Sequence, residues 1–224
     1  PRGAFALSCE CRLLEWLARA WPRRGRTLLE VGCGPGYFLE FFHRAGFDVT
    51  GFDKSPVMLE AARQRLGDSA DLNLGDAHAL PYDSDSFDYV ALLTVLEFVE
   101  NPRKALAEAA RVARRAVIVG YVNRFSFYRL SARSHGVLSQ ARWYTPWGMR
   151  SLVRSVAGPA PVNEGSVLPG PECTWRHGFP LYGLGGAVLP VPVGAYCALS
   201  ADLTCEAPLT PIASFAGAQP TKSF

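Results

Sequence analysis

Through the first 120 or so positions, apolar residues come in two alternating forms: short unbroken runs, and repeats at helical spacing. Phe5–Ala20 sets Leu13, Leu14, Trp16 and Leu17 on one helical face and stops at Pro22 and Gly25, predicting an amphipathic helix packed on the rest of the domain. Thr27–Val31 is a short apolar run entering a glycine cluster and reads as a strand. Beyond the glycines, Tyr37–Ala45 is helical and ends at Gly46. Asp48–Asp53 reads as a second strand. Pro56–Leu66 comes next as a helix, with Ser55 placed to cap its N-terminus and proline in its first turn. Asp71–Asp76 and Phe87–Leu93 are predicted strands, Pro102–Val112 a helix and Ala116–Asn123 a fifth strand. Runs such as FDYVALL are apolar nearly throughout, as strands buried on both faces are. This alternation predicts an α/β fold, a mostly parallel sheet with helices on both faces.

After Asn123 the rhythm changes. Ser126–Val156 reads as mostly helical, interrupted at Gly136 and restarted at Thr145-Pro146. Proline and glycine then dominate Gly158–Pro192, and Gly194–Thr204 is the last strand expected. Gly178–Ala201 carries no charge and is long enough to span a bilayer. Its prolines and glycines would break a spanning helix, so it reads as loop followed by strand. The organisation expected is one domain over residues 1–205, its variable lid and substrate region at 124–193, and a loosely held tail at 206–224.

With 49% apolar and 19% charged residues, a buried core is assured and a mainly disordered chain excluded. The net charge of +3 argues for no partner, but its distribution is uneven. Residues 27–100 carry 13 acids against 4 bases, whereas 109–163 hold nine arginines and no acid. The six cysteines form no CxxC pair and lie near no histidine cluster, so no metal site is expected, and reduced, packed thiols are. The chain opens at Pro1 rather than at methionine, leaving a processed leader open; no signal peptide is visible, and the cytoplasm is the expected location.

The candidate chemistry begins at Glu30-Val31-Gly32-Cys33-Gly34-Pro35-Gly36, glycines set between a strand and a helix. There the backbone turns sharply and approaches a ligand closely. A dinucleotide fingerprint requires glycine where Tyr37 stands. The pattern is GxGxG preceded by an acid, and alone it is equally a structural turn. Asp53 ends the second strand, where a carboxylate accepts hydrogen bonds from both hydroxyls of a ribose. Asp76 ends the third, where an acid followed by the Ala77 amide suits an adenine edge. Singly, each is an ordinary turn or capping acid; together with the loop they point to one ligand at the carboxyl edge of the sheet.

EVGCGPG, then GFDKSPVMLEAA, then GDAHALPYDSDSFDYV resembles the class I S-adenosylmethionine-dependent methyltransferases, nearest the ubiquinone/menaquinone-biosynthesis and related small-molecule branch. The resemblance covers about residues 10–122 and implies a Rossmann-like, seven-stranded sheet whose last strand is antiparallel. It also implies S-adenosyl-L-methionine as cofactor and S-adenosyl-L-homocysteine as product. By resemblance, the cofactor residues are Glu30, Gly32, Cys33, Gly34, Gly36, Asp53, Lys54, Met58, Asp76, Ala77 and Thr94. Phe52 or Met58 would flank the adenine, and Thr94 would lie near the sulfonium. Independently, the acidic 27–100 stretch suits a cofactor bearing a sulfonium and an ammonium, whereas a pyrophosphate prefers the opposite sign.

For the acceptor, Glu97 in TVLEFVE is a candidate base or anchor, and equally a local hydrogen-bonding acid. His135 and His177 lie in the variable regions that cover such sites; His43 and His78 read as structural. Tyr121, Asn123 and Arg124 end the fifth strand, and Trp143 and Tyr144 belong to an arginine-aromatic stretch that reads as substrate lid, acidic-membrane contact, stacking surface for nucleic acid, or solvated surface. The expected activity is methylation of a small or lipophilic acceptor, with oxygen or carbon favoured, by a monomer or dimer without metal. The alternative is an RNA or tRNA methyltransferase, favoured by the arginine run and weakened by the modest net charge and by the lack of an appended RNA-binding module in this sequence. A non-catalytic cofactor-binding regulator remains as the other class.

Overall fold

Each apolar run becomes a strand of one seven-stranded sheet. The structure, a computed structural model, describes residues 2–129, 140–175 and 186–204. β1 (Thr27–Val31), β2 (Asp48–Asp53), β3 (Ala70–Leu74), β4 (Phe87–Leu93) and β5 (Ala113–Val122) are parallel. β6 (Val162–Val167) and β5 both flank β7 (Tyr196–Asp202), which runs antiparallel to each of them. The order β3-β2-β1-β4-β5-β7-β6 makes the fold Rossmann-like, with the last strand in sequence antiparallel as expected.

Successive strand residues point to opposite faces, so each run feeds two cores. Tyr89, Ala91 and Leu93 join Ala116 and Ile118 beneath α1 (Arg2–Leu17), α2 (Tyr37–Arg44) and α3 (Pro56–Leu66). Val90 and Leu92 join Val117, Val119 and Tyr121 beneath α4 (Pro102–Val112) and α5 (Pro146–Ala157). The predicted caps are made: Ser55 accepts from the Met58 amide on α3, and Thr145 from the Gly148 amide on α5. At the amino ends of β1 and β4, Asp88 is buried against Arg26 and Arg115 and accepts from the Thr27 amide at 3.2 Å. This cluster lies at the sheet edge opposite the glycine loop.

Two expectations are corrected. The stretch read as Pro/Gly-rich loop contains β6, a strand with Glu164 ion-paired to Arg150 of α5. The stretch read as mostly helical is extended at Tyr144, which bridges Asn123, before α5 starts. His135, His177 and the expected tail at 206–224 lie outside the described residues. Among those described, no helix is long and apolar enough to cross a membrane, and no group of three His, Cys, Asp or Glu is placed to hold a metal.

Candidate active site

β1 delivers the chain into a turn that only glycine fits. Gly32 has φ +71°, and a Cβ there would collide with Val95. The amides of Gly32 and Cys33 both donate to the Phe52 carbonyl, at 2.6 and 3.1 Å, binding the loop to the end of β2. Asp53 completes this tie: one carboxylate oxygen accepts from the Gly34 amide and the other from the Ser55 amide, each at 2.8 Å. Gly36, at φ +80°, opens α2 and sits against Ala62 and Leu66 of α3.

Beyond β3, Asp76 accepts from the His78 amide at 2.8 Å and lies 2.6 Å from His78 Nδ1. The His78 backbone amide, seconded by its ring, holds the Asp76 carboxyl below the usual range. His78 Nε2 accepts from the Asn101 amide at 3.1 Å, which assigns the ring proton to Nδ1, toward Asp76. Asn101 in turn caps α4 through the Lys104 amide. Thr94, just past β4, takes a left-handed φ of +56° and donates its amide to Gly120 at 2.8 Å. Such a conformation in a β-branched residue persists only where its surroundings enforce it.

These elements enclose a cavity of 380 Å³ at the carboxyl ends of β1 to β4. Of the residues singled out in the sequence, Gly32, Phe52, Asp53, Lys54, Asp76, Ala77 and Thr94 line it. Gly34 and Gly36 shape the loop beside it. Cys33 points under the sheet, its sulfur within 2.9 Å of where a Gly51 Cβ would sit, and Met58 stands half-exposed on α3; neither is among the walls. His78, read from the sequence as structural, is a wall as well; Val95, Phe98 and Val99 were not foreseen, and neither was Gly75, whose missing Cβ makes room for the Phe52 ring. Glu30 is buried, with one carboxyl oxygen lacking a hydrogen-bond partner. Burial first, and the charge of Asp53 second, push its pKa well above the usual value.

The acceptor candidates disperse. Glu97 is buried; one oxygen accepts from the Val122 amide at 2.9 Å and the other has no partner, and burial pushes its pKa up to about 7. Tyr121 points into the core beneath α4 and α5, away from the cavity. Asn123 is a staple, donating to the carbonyls of Pro192 and Gly194 and accepting from Phe125. Both side chains sit at the predicted strand end, but the pleat and the loop before β7 engage them. Arg124, Trp143 and Tyr144 line a separate open groove of 440 Å³ beside the start of α4.

Residues 29–119 match a family model described as a methyltransferase domain. This segment is a class I, S-adenosylmethionine-dependent methyltransferase domain. The chain is similar to the demethylmenaquinone methyltransferase of Renibacterium salmoninarum, 41% identical over 90 residues, which are 40% of this chain and 38% of that protein. It is similar also to the malonyl-[acyl-carrier protein] O-methyltransferase of Salmonella typhimurium, 33% identical over 99 residues, or 44% and 39% of the two chains. The crystal structure of a SAM-dependent methyltransferase from Thermotoga maritima, described as a possible histamine N-methyltransferase, superposes with a TM-score of 0.70 at 25% identity. That likeness covers 90% of this chain and 91% of that one. The matched stretch spans less than half of either curated relative. The methyltransferase domain's cavity fits the cofactor of its class on three counts. Gly32, held by glycine's left-handed backbone, presents main chain to the cavity, a buried carboxyl oxygen of Glu30 lacks a partner, and Asp53 and Asp76 supply charge opposite to that of a sulfonium and an ammonium.

Proposed function

We propose that the protein transfers a methyl group from S-adenosylmethionine to a small or lipophilic acceptor. One observation carries the reading: Asp53, Asp76 and the backbone of Gly32 converge on a single cavity within the family-matched segment. When bound, the cofactor supplies an electrophilic methyl carbon on a sulfonium. The chain holds and orients it. The loop at Gly32 and Gly34 admits the methionine portion, with Glu30 opposing its ammonium. Asp53, whose two oxygens each keep a lone pair after accepting one amide, takes the ribose hydroxyls. The Phe52 ring flanks the adenine, and Asp76 with the Ala77 amide reads its edge. Thr94, which lines the same cavity, would stand on the side of the sulfonium. Positioning supplies much of the rate in such an in-line displacement.

The two curated relatives act, by their names, on demethylmenaquinone and on a malonyl-[acyl-carrier protein]. A shared cofactor domain thus serves unlike acceptors. The exposed Phe125, Phe127 and Trp147 beside the arginine-lined groove support a lipophilic acceptor or contact with a membrane surface. The arginine run supports nucleic acid weakly: Arg111, Arg114, Arg115 and Arg150 are engaged by Glu108, Asp88 and Glu164. Incubation with methyl-labelled S-adenosylmethionine and a panel of quinones, phenols, amines and lipids tests the proposal. Label transfer that Asp53→Ala abolishes supports it; cofactor binding without transfer to any member favours a regulatory protein instead.

A further inference from the structure

Thr94 also walls a second, smaller chamber of 140 Å³, on which Glu10 of α1, Tyr128, Trp175 and Tyr196 converge. Thr94 is the one described residue that lines both spaces, so the chamber adjoins the larger cavity at this position. The Glu10 carboxyl has no hydrogen-bond or ion-pair partner among the described residues, and burial pushes its pKa up to about 7. Trp175 is 6% exposed, and its ring N–H is buried without a partner. Glu97 accepts the amide of Val122, another wall, and Glu10, Glu97 and Glu30 all act electrostatically on the buried Tyr196 hydroxyl. Among the described walls there is no Lys, Arg or His. A chamber of acid and aromatic rings disfavours a carboxylate or phosphate and attracts an organic cation. An apolar cavity of ~150 Å³ accommodates benzene, so this space holds about one ring.

We propose that this chamber is the acceptor subsite and that the acceptor is a small amine on an apolar or aromatic frame, with Glu10 as its anionic partner. This deepens the methyltransferase reading and rests on it. The ammonium gives one proton to the Glu10 carboxylate, freeing the nitrogen lone pair. That pair forms the new bond to the methyl carbon as the carbon–sulfur bond breaks, its electrons remaining on sulfur. The positive charge passes from sulfur to the methylated nitrogen. The sequence favoured oxygen or carbon as nucleophile, but an anionic wall opposes formation of a phenolate or enolate and stabilises an ammonium.

Calorimetric titration of benzylamine, benzyl alcohol and benzoate into the protein saturated with S-adenosylhomocysteine tests this, on wild type and Glu10→Gln. Benzylamine is expected to bind about tenfold or more tighter than benzyl alcohol, in keeping with a charge-assisted hydrogen bond, and benzoate weakest. Glu10→Gln is expected to erase that preference while S-adenosylhomocysteine affinity holds. Equal binding of amine and alcohol, or a preference that survives in Glu10→Gln, overturns the proposal while leaving the methyltransferase reading intact. Failure of S-adenosylhomocysteine to bind wild type overturns the reading beneath it.

Discussion

The amide of Gly34 donates to Asp53 at 2.8 Å, so the acid proposed for the ribose also ties the glycine loop to the end of β2. Its other oxygen is committed to Ser55. Asp53→Asn retains the shape but turns an NH2 group toward one of two amide donors. A lost charge-assisted hydrogen bond is worth about 1.5–3 kcal/mol, so S-adenosylhomocysteine affinity is expected to fall by about tenfold or more. Thermal unfolding of the free protein should also shift downward, because the loop loses its tie.

Gly32 is constrained twice, by its backbone and by Val95. Gly32→Ala is expected to cost about 1–3 kcal/mol in stability and to weaken cofactor binding. Adding Val95→Ala relieves the collision but not the positive φ. The double variant should therefore recover part of the stability, which denaturant titration of the three proteins measures.

β1, β4 and β5 were legible because strands buried on both faces are written as nearly unbroken apolar runs, and Ser55 and Thr145 marked the starts of α3 and α5 as capping signals. β6 was not. Its Glu164 is polar because it pairs with Arg150, and its Gly165 admits the Leu189 carbonyl and Leu13 closely, so the strand spells like a loop. The glycine loop, Asp53 and Asp76 were legible because each sits at a strand end. Glu10 was invisible as a site residue: its meaning depends on Trp175 and Tyr196, which the fold brings from the far end of the chain.

Glu97 sets a pH dependence. Its carboxyl moves from 4.5 unfolded to about 7 folded, so between those values the folded chain keeps a proton the unfolded chain has released. Stability therefore falls as pH rises through this window, by on the order of 3 kcal/mol at most for this group. Glu97→Gln keeps an acceptor for the Val122 amide and carries no charge. It should be more stable than wild type at about pH 8 and show a shallower loss from about pH 5 upward. Denaturant titrations across that range check this; parallel curves would contradict it.

Asp88 works in the opposite direction. Burial opposes its charge, but the Thr27 amide, Arg115 and Arg26 outweigh it and hold its carboxyl below the usual 3.8. Its contribution is present above that value and is lost as pH falls below it. Asp88→Asn is expected to cost about 2 kcal/mol at neutral pH, since it leaves the arginines without their partner. Standing at the opposite edge of the sheet, it should leave S-adenosylhomocysteine affinity unchanged.

The central claim is that the cavity above the glycine loop holds S-adenosylmethionine. Calorimetric titration of S-adenosylmethionine and S-adenosylhomocysteine, with NADH as control, into wild type and Asp53→Ala tests it most directly. The account predicts binding of the first two in the micromolar range, a free energy of about −8 kcal/mol, lost in the variant, with NADH inert. Absence of binding by both sulfur compounds in wild type would contradict it and leave the glycine loop with a structural task alone.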